Sequence, residues 1–388
     1  MNFEFTDQQR SIRDAIERIC AEFDDAYWLD RDTDGEFPEA FVKAITDGGW
    51  LGIAMPEAYG GAGLGITETA IMAHTIARSG AGMSGASSVH LNLFGPNPIV
   101  VFGSEEQKQR LLPPLIKGQH RACFGVTEPD AGLNTTRLST RAVRDGDHYI
   151  INGRKLWTTT AQTANKILLI ARTKALADCA KPSEGLTLFY TDLNRDSIEV
   201  RLIHKMGRKA VDSNALFIDD LIVPVADRIG VEGDGWKCLL HGLNPERVLI
   251  ASEAVGLGHA ALAKASQYAR DRVVFDRSIG KNQGIQHPLA ENWMELEAAQ
   301  LMAFKAADLY DRGEACGAEA NAAKYLAAQA ALSACQRAVL THGGMGYAKE
   351  YHVERYLREI MIPVIAPVSQ ELVKSFIAEQ VLGQEKSY

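Results

Sequence analysis

Gly242-Leu243-Asn244-Pro245-Glu246-Arg247-Val248-Leu249-Ile250-Ala251 opens a long apolar helical pattern. Asn244 suits an N-cap, because its side-chain oxygen accepts a bond from a free backbone N–H of the first turn. Pro245 suits the first helical position, where a missing N–H costs nothing. Glu246 and Arg247 then fall in the first turn, ahead of a mostly apolar run to about Gly258. A carboxylate at such a place ordinarily answers the helix macrodipole and sits in water. The stretch alone therefore predicts a solvated helix start, and the rest of the chain decides whether Glu246 does chemistry.

Beyond it the pattern stays helical, over roughly 245–273, 286–313, 317–341 and a set after 349, which predicts a bundle of four helices. Gly256-Leu257-Gly258-His259-Ala260-Ala261 fits a relaxed dinucleotide-binding pattern, with Asp276 further on. That fingerprint must follow a strand and open a helix. Here it lies inside a helix, so small residues for close packing are the expectation. Ahead of the stretch, about 121–225 reads as an antiparallel β domain of apolar, β-branched runs. His148 to Trp157 reads as a hairpin turning at Asn152-Gly153. Residues 1 to about 120 read as helical: Thr6 with Gln9 resembles a capping box, and Ser104 to Gln107 caps a helix expected to stop before Pro113-Pro114. The expected class is α+β: an N-terminal all-α domain (1–120), an antiparallel β domain (121–225) and a C-terminal four-helix bundle (226–388).

Composition bounds the function. A chain of 388 residues predicts two or three domains. A net charge of −8 speaks against a nucleic-acid or anionic-membrane surface. No run of eighteen apolar residues predicts a membrane span, and Met1 to Arg10 has no apolar signal core. The six cysteines are scattered, which fits reduced thiols of the cytoplasm rather than a disulfide framework or zinc site. No Cys/His cluster has metal-ligand spacing and no Gly-x-Ser-x-Gly elbow occurs, so no metal is expected.

Cys123-Phe124-Gly125-Val126-Thr127-Glu128-Pro129-Asp130-Ala131-Gly132 is a strand running into a turn, and Leu156-Trp157-Thr158-Thr159-Thr160 ends another strand. Together they resemble the flavin-contacting segments of the acyl-CoA dehydrogenase family. The resemblance extends over nearly the whole chain, through Met55-Pro56-Glu57, Phe102 to Gln107, Lys205-Met206-Gly207, Arg270-Asp271-Arg272 with Phe275, and His342 to Tyr347. It implies an FAD enzyme that dehydrogenates an acyl-CoA thioester at its α and β carbons, as in fatty-acid β-oxidation. Phe124, Val126, Thr127, Gly132 and Leu133 would line the flavin ring, Trp157 would pack on it, and the Thr159 hydroxyl would reach its reactive nitrogen. Val368 and Gln370 would lie nearby. Arg272, Phe275, Gln283, Gly343 and Gly344 would meet the flavin of a neighbouring subunit in a homotetramer. Leu243, Asn244, Arg247, Leu93 and Pro96 would border the substrate. Electrons would leave to an electron-transfer flavoprotein.

The family's commonest base is a glutamate in a segment that here reads Ile365-Ala366-Pro367-Val368-Ser369-Gln370. Its position holds Ala366, which takes no proton, and Val368 replaces a threonine. A minority of the family, similar to the isovaleryl and long-chain enzymes, carries the base in a Glu-Arg segment at the start of the bundle's first helix. Asn244-Pro245-Glu246-Arg247 resembles that arrangement, so Glu246 is the expected base and its backbone N–H an expected donor to the thioester oxygen. Two alternatives remain open: a redox-neutral acyl-CoA lyase of desulfinase type, and a non-catalytic flavin- or acyl-CoA-binding relative.

Overall fold

The computed structural model describes residues 4–386. Among them a helical part comes first: α1 (Asp7–Cys20), α2 (Asp25–Asp34), α3 (Glu39–Asp47), α4 (Ile66–Ile76), α5 (Gly82–Phe94), α6 (Asn97–Phe102) and α7 (Glu105–Ile116). Thr6 and Gln9 exchange the two bonds of a capping box at α1, and Ser104 and Gln107 do so at α7. α7 does not stop before Pro113-Pro114 but runs through both. Each proline removes one ladder donor, yet Leu111, Leu112, Leu115 and Ile116 are buried around them and hold the helix in place.

Strands follow: β1 (Ala122–Gly125), β2 (Arg141–Asp145), β3 (His148–Thr159), β4 (Lys166–Arg172), β5 (Leu186–Asp192), β6 (Ile198–Leu202), β7 (Ser213–Pro224) and β8 (Arg228–Ile229). They form one sheet in the order β6-β7-β3-β2-β4-β5-β8, with β1 also on β4. The sheet is mixed, not purely antiparallel: β1 runs parallel to β4, pairing Ala122 with Lys166, and Arg141 of β2 pairs parallel with Arg172. β4 is buried on both faces, Leu168 and Ile170 on one side and Ile167, Leu169 and Ala171 on the other. The expected hairpin at Asn152-Gly153 is instead a bulge within the continuous β3. The β2–β3 turn lies at Gly146, whose φ of +60° suits a tight turn.

The C-terminal part comprises α8 (Gly235–Asp271), α9 (Gln283–Asp311), α10 (Gly317–His342) and the short α11 (Val353–Glu359), α12 (Met361–Ile365) and α13 (Gln370–Phe376). Asn244 is not the N-cap of α8, because the helix begins at Gly235 and Pro245 lies inside it. Trp236, Cys238 and Leu239 pack on the sheet core, which extends the helix past the local stop signal. α8 then passes Val248 and Leu249 to the N-terminal core and the rest of its length to the bundle core. It is long and apolar enough to cross a membrane, but 83% of that stretch is buried inside the protein, which marks it as a core helix. Gly256 and Gly258 allow the close packing expected of them. A Cβ on Gly256 would lie 2.4 Å from the His74 carbonyl oxygen, and one on Gly258 2.5 Å from Leu296 and 3.1 Å from Ala331.

Candidate active site

A cavity of about 290 Å³ opens where the three cores meet around α8. That volume is at the lower end of ligand cavities (~300–1,000 Å³). α8 contributes Trp236, Leu239, Leu243 and Glu246, which recur every three or four residues and share one face. α5 and α6 contribute Leu91, Phe94 and Pro98. β1 contributes Phe124 and the segment after it Val126, Thr127, Gly132 and Thr135, the end of β3 contributes Leu156, Trp157 and Thr159, and the link from α12 to α13 contributes Ala366, Pro367 and Val368. Most of the expected ring-lining residues thus converge, and Ala366 and Glu246 border one space.

The wall is held by buried polar groups. The Lys155 ammonium donates to Glu128 at 2.9 Å and to the Val126 carbonyl at 3.1 Å. Glu128 also accepts from the Ser139 N–H and hydroxyl, each at 2.7 Å, and from the Thr140 N–H at 3.0 Å. Burial raises the Glu128 carboxyl, but Lys155 and these donors overcome it and hold the group down at about 2. Burial lowers Lys155 to about 8 against the pull of Glu128. The pair ties the turn after β1 to β3, and the Leu156 N–H to Thr127 carbonyl bond at 2.8 Å completes the join.

Trp157 sits beside a register shift of β3 at a φ of 61° and is 55% exposed. A bulky residue there is strained, and its side chain is left half exposed at the edge of the cavity. Thr159 faces Arg208, whose Nη2 lies 3.4 Å from its hydroxyl oxygen. With that oxygen so approached, the hydroxyl hydrogen is free to donate into the cavity. Aromatic faces at Phe124 and Trp157, an apolar wall at Val126 and Leu156 and a donor at Thr159 fit a flat heteroaromatic ring.

Glu246 lies about three turns inside α8 rather than in its first turn. The positive end of the macrodipole is therefore remote. Its backbone N–H faces the Gly242 carbonyl one turn back, so the expected role of that N–H as a donor to substrate is not retained. Burial raises the carboxyl above its ordinary range, opposed by His90 and Arg247 and reinforced by Glu253.

Several expected residues stand elsewhere. Leu93 and Pro96 line a separate cavity of about 110 Å³, because on α5 it is Leu91 and Phe94 that face the main one. Asn244 and Arg247 turn off the lining face of α8 and bond each other at 2.9 Å. Leu133 is exposed outside the cavity, although its neighbour Gly132 lines it. Gln370 is held by Gln329 of α10 at 2.8 Å and does not reach the cavity. Arg272, Phe275, Gln283, Gly343 and Gly344, expected to meet a neighbouring subunit's flavin rather than this cavity, do not line it. Phe275 tips the β9 (Val273–Val274) to β10 (Arg277–Ser278) hairpin at 95% exposure, and Gly343 follows His342, which stacks on Tyr268 at 4.3 Å. Trp236, Leu239, Leu91, Phe94 and the Glu128–Lys155 tie escaped the sequence reading. Counting back along α8 from Leu243 at helical spacing would have found the first two.

Class follows from this arrangement: a carboxylate facing an aromatic slot at the meeting point of a helical unit, a sheet and a bundle. The chain matches the acyl-CoA dehydrogenase N-terminal domain over residues 6–119, the middle domain over 123–221 and the C-terminal domain over 233–382. An acyl-CoA dehydrogenase of Bacillus subtilis is 37% identical over 349 residues, 90% of this chain and 91% of its own length. The caffeyl-CoA reductase–Etf complex subunit CarC of Acetobacterium woodii is 31% identical over 97% of this chain and 99% of its own. Butyryl-CoA dehydrogenase from Megasphaera elsdenii superposes with a TM-score of 0.93 at 29% identity, covering 98% of this chain and all of that one. The protein belongs to the acyl-CoA dehydrogenase family of FAD-dependent oxidoreductases.

Proposed function

We propose that the chain converts an acyl-CoA thioester to the trans-2-enoyl-CoA, with Glu246 as the base that takes the α-proton. The observation that carries this is the shared cavity: Glu246 and Ala366 both line it, so one acid is present and the alternative position is empty of any. An α-C–H beside a thioester is too weak an acid for a carboxylate of ordinary pKa, ~4.3. Burial narrows the gap by raising Glu246. Leu91, Phe94 and Leu239 would exclude water from the acyl chain, and Phe124, Val126, Thr127, Gly132, Trp157, Thr159 and Val368 would hold the flavin ring. FAD, when bound, supplies the acceptor for the β-hydrogen and its electron pair.

Arg272, Phe275, Gln283, Gly343 and Gly344 would serve the cofactor of a neighbouring subunit. Exposed apolar side chains at Phe275, Trp293, Met294, Leu301, Leu340 and Tyr347 support a homotetramer that covers them. An electron-transfer flavoprotein as electron acceptor draws support from the A. woodii relative, which is named as an Etf-complex subunit. A cytoplasmic setting is supported by six cysteines that are all free.

The test is Glu246→Gln, loaded with FAD and mixed anaerobically with saturated acyl-CoAs of short, branched and long chain. Flavin bleaching should slow by about 10²–10⁴-fold, the usual weight of a general base. Bleaching at the parental rate would remove Glu246 from the role. Wild-type protein that binds acyl-CoA yet never bleaches would point instead to a redox-neutral lyase or a non-catalytic binder.

A further inference from the structure

Behind the cavity wall lies a buried histidine–carboxylate pair that the proposed reaction does not use. His90 of α5 places Nδ1 at 2.5 Å from Oε1 of Glu253 on α8. The two residues are 7% and 1% exposed. Glu253 stands two turns beyond Glu246 and so shares its helix face. His90 meets Phe94 edge-on at 4.7 Å, and Phe94 in turn stacks on Phe124 at 5.3 Å, both of them cavity residues. The second Glu253 oxygen is buried without a partner, and the second nitrogen of His90 makes no hydrogen bond among the described residues. A buried carboxylate this poorly solvated calls for a hydrogen-bond donor or a cation in contact. Among the described residues, His90 is the side chain that bonds it.

We propose that His90, held as an imidazolium by Glu253, is a positioning residue for Glu246: it keeps a fixed positive charge behind the cavity wall, in contact with a carboxylate on the base's own helix face, and so sets the pH range in which the base works. This rests on the reading of Glu246 as the base. The other charges facing the group act from every side. Arg247 and Glu253 come from α8 itself. Arg208, from the loop before β7, donates to Ser87 of α5 at 3.1 Å. Burial lowers Arg208, and Glu253 itself, then Glu359 from α11 and Asp212 from the same loop, act against it. Burial lowers His90, but Glu253 and then Glu246 more than restore it, and His90 is the first group that opposes the upward push of burial on Glu246. The sign follows. Removing the imidazolium leaves burial less opposed, so Glu246 holds its proton to higher pH and is inactive as a base there.

Three FAD-loaded variants test this: His90→Gln, Glu253→Gln and Glu246→Gln. The probe is whichever of butyryl-, isovaleryl- and octanoyl-CoA reduces the wild-type flavin fastest. The acid limb of the anaerobic reduction rate should move to higher pH in both His90→Gln and Glu253→Gln. Below the limb the rate should fall about tenfold for every pH unit the limb has moved. The rate on the alkaline plateau should stay within about twofold of wild type. Glu253→Gln keeps the ring and its packing, so it carries the test if His90→Gln folds poorly. Independently of turnover, a low-field imidazole N–H proton resonance should be present in wild type and Glu246→Gln and absent from His90→Gln. Unshifted acid limbs beside a dead Glu246→Gln would overturn the role of the pair and leave the base in place. A Glu246→Gln that reduces flavin at the parental rate would overturn both. A purely structural pair would lower the melting temperature without moving the limb.

Discussion

Glu128→Gln isolates what the buried tie under the flavin wall contributes. Glu128 accepts four bonds, from Lys155 at 2.9 Å, from the Ser139 N–H and hydroxyl at 2.7 Å and from the Thr140 N–H at 3.0 Å. Glutamine keeps one acceptor oxygen and turns the other into a donor, so it can serve Lys155 with the Thr140 N–H, which share one oxygen, or the N–H and hydroxyl of Ser139, which share the other, but not both sets. It also removes the charge opposite a fully buried ammonium. Breaking a buried pair by removing one partner costs about 3–5 kcal/mol. For a unit of 150–250 residues each kcal/mol is worth about 2–4 °C, so the apparent melting temperature should fall by about 10 °C.

Part of the loss should appear as weaker FAD binding, because the freed turn carries Val126, Thr127 and Gly132. The assay is thermal unfolding of the apo and FAD-loaded forms, with flavin affinity from fluorescence titration. The double variant Glu128→Gln/Lys155→Met should be more stable than Glu128→Gln alone, since it removes the orphaned charge as well. Acid behaviour supplies a second readout. The Glu128 carboxyl is depressed from 4.5 to about 2, so its stabilisation is complete above 4.5 and lost as pH falls toward 2. Wild type should lose stability through that window more steeply than Glu128→Gln. A single variant that melts with wild type, or a double variant no better than the single, would refute the reasoning.

Gly256→Ala would place a Cβ 2.4 Å from the His74 carbonyl and 3.0 Å from the Ala77 side chain, forcing α8 from α4. Such overpacking costs about 1–3 kcal/mol, visible as a lower melting temperature. Trp157→Gly relieves a left-handed φ of 61° on a half-exposed residue, so the apo protein should melt no lower than wild type. Its FAD dissociation constant should nonetheless rise about tenfold, the loss of one aromatic packing partner. Adding Ala366→Glu to Glu246→Gln should return flavin reduction by acyl-CoA above the level of the single variant, because both positions border one cavity. A double variant as inert as the single would show that the second position cannot aim a carboxylate at the same carbon.

The parts of this molecule legible in the sequence are those set by local chemistry or by short motifs. Thr6 with Gln9 and Ser104 with Gln107 close the expected capping boxes. Phe124 to Thr127, Trp157, Thr159, Leu243, Glu246 and Val368, scattered along the chain, do meet. What failed to show is whatever tertiary packing decides against a local signal. Asn244-Pro245 is a good helix start, yet Trp236 and Leu239 bury themselves on the sheet and carry the helix start back to Gly235. Pro113-Pro114 is a good helix stop, yet the leucines around it are buried. The parallel pairing of β1 with β4 leaves no trace in the pattern of either strand, because both are apolar nearly throughout. His90 and Glu253 look like ordinary helix residues until two helices bring them into contact.

The misplaced helix start changes how the base is tuned. Had Glu246 stood in a first turn, free backbone N–H groups and the macrodipole would have held its carboxyl down, against the needs of a base for so weak an acid. Inside α8 those influences are absent. Burial sets the upward push, and only discrete charges oppose it. Arg247, the nearest in sequence, is turned toward Asn244 at 2.9 Å and away from the cavity. His90 is the first of the opposing charges and Arg247 the second, and under the proposal the charge of His90 depends on Glu253. Proton affinity at the reacting position is therefore under the control of side chains that never touch substrate. Two cavities of the same shape could differ in working pH through position 253 alone, and that separation of shape from charge is why the acid limb, rather than the plateau rate, is where the pair will be read.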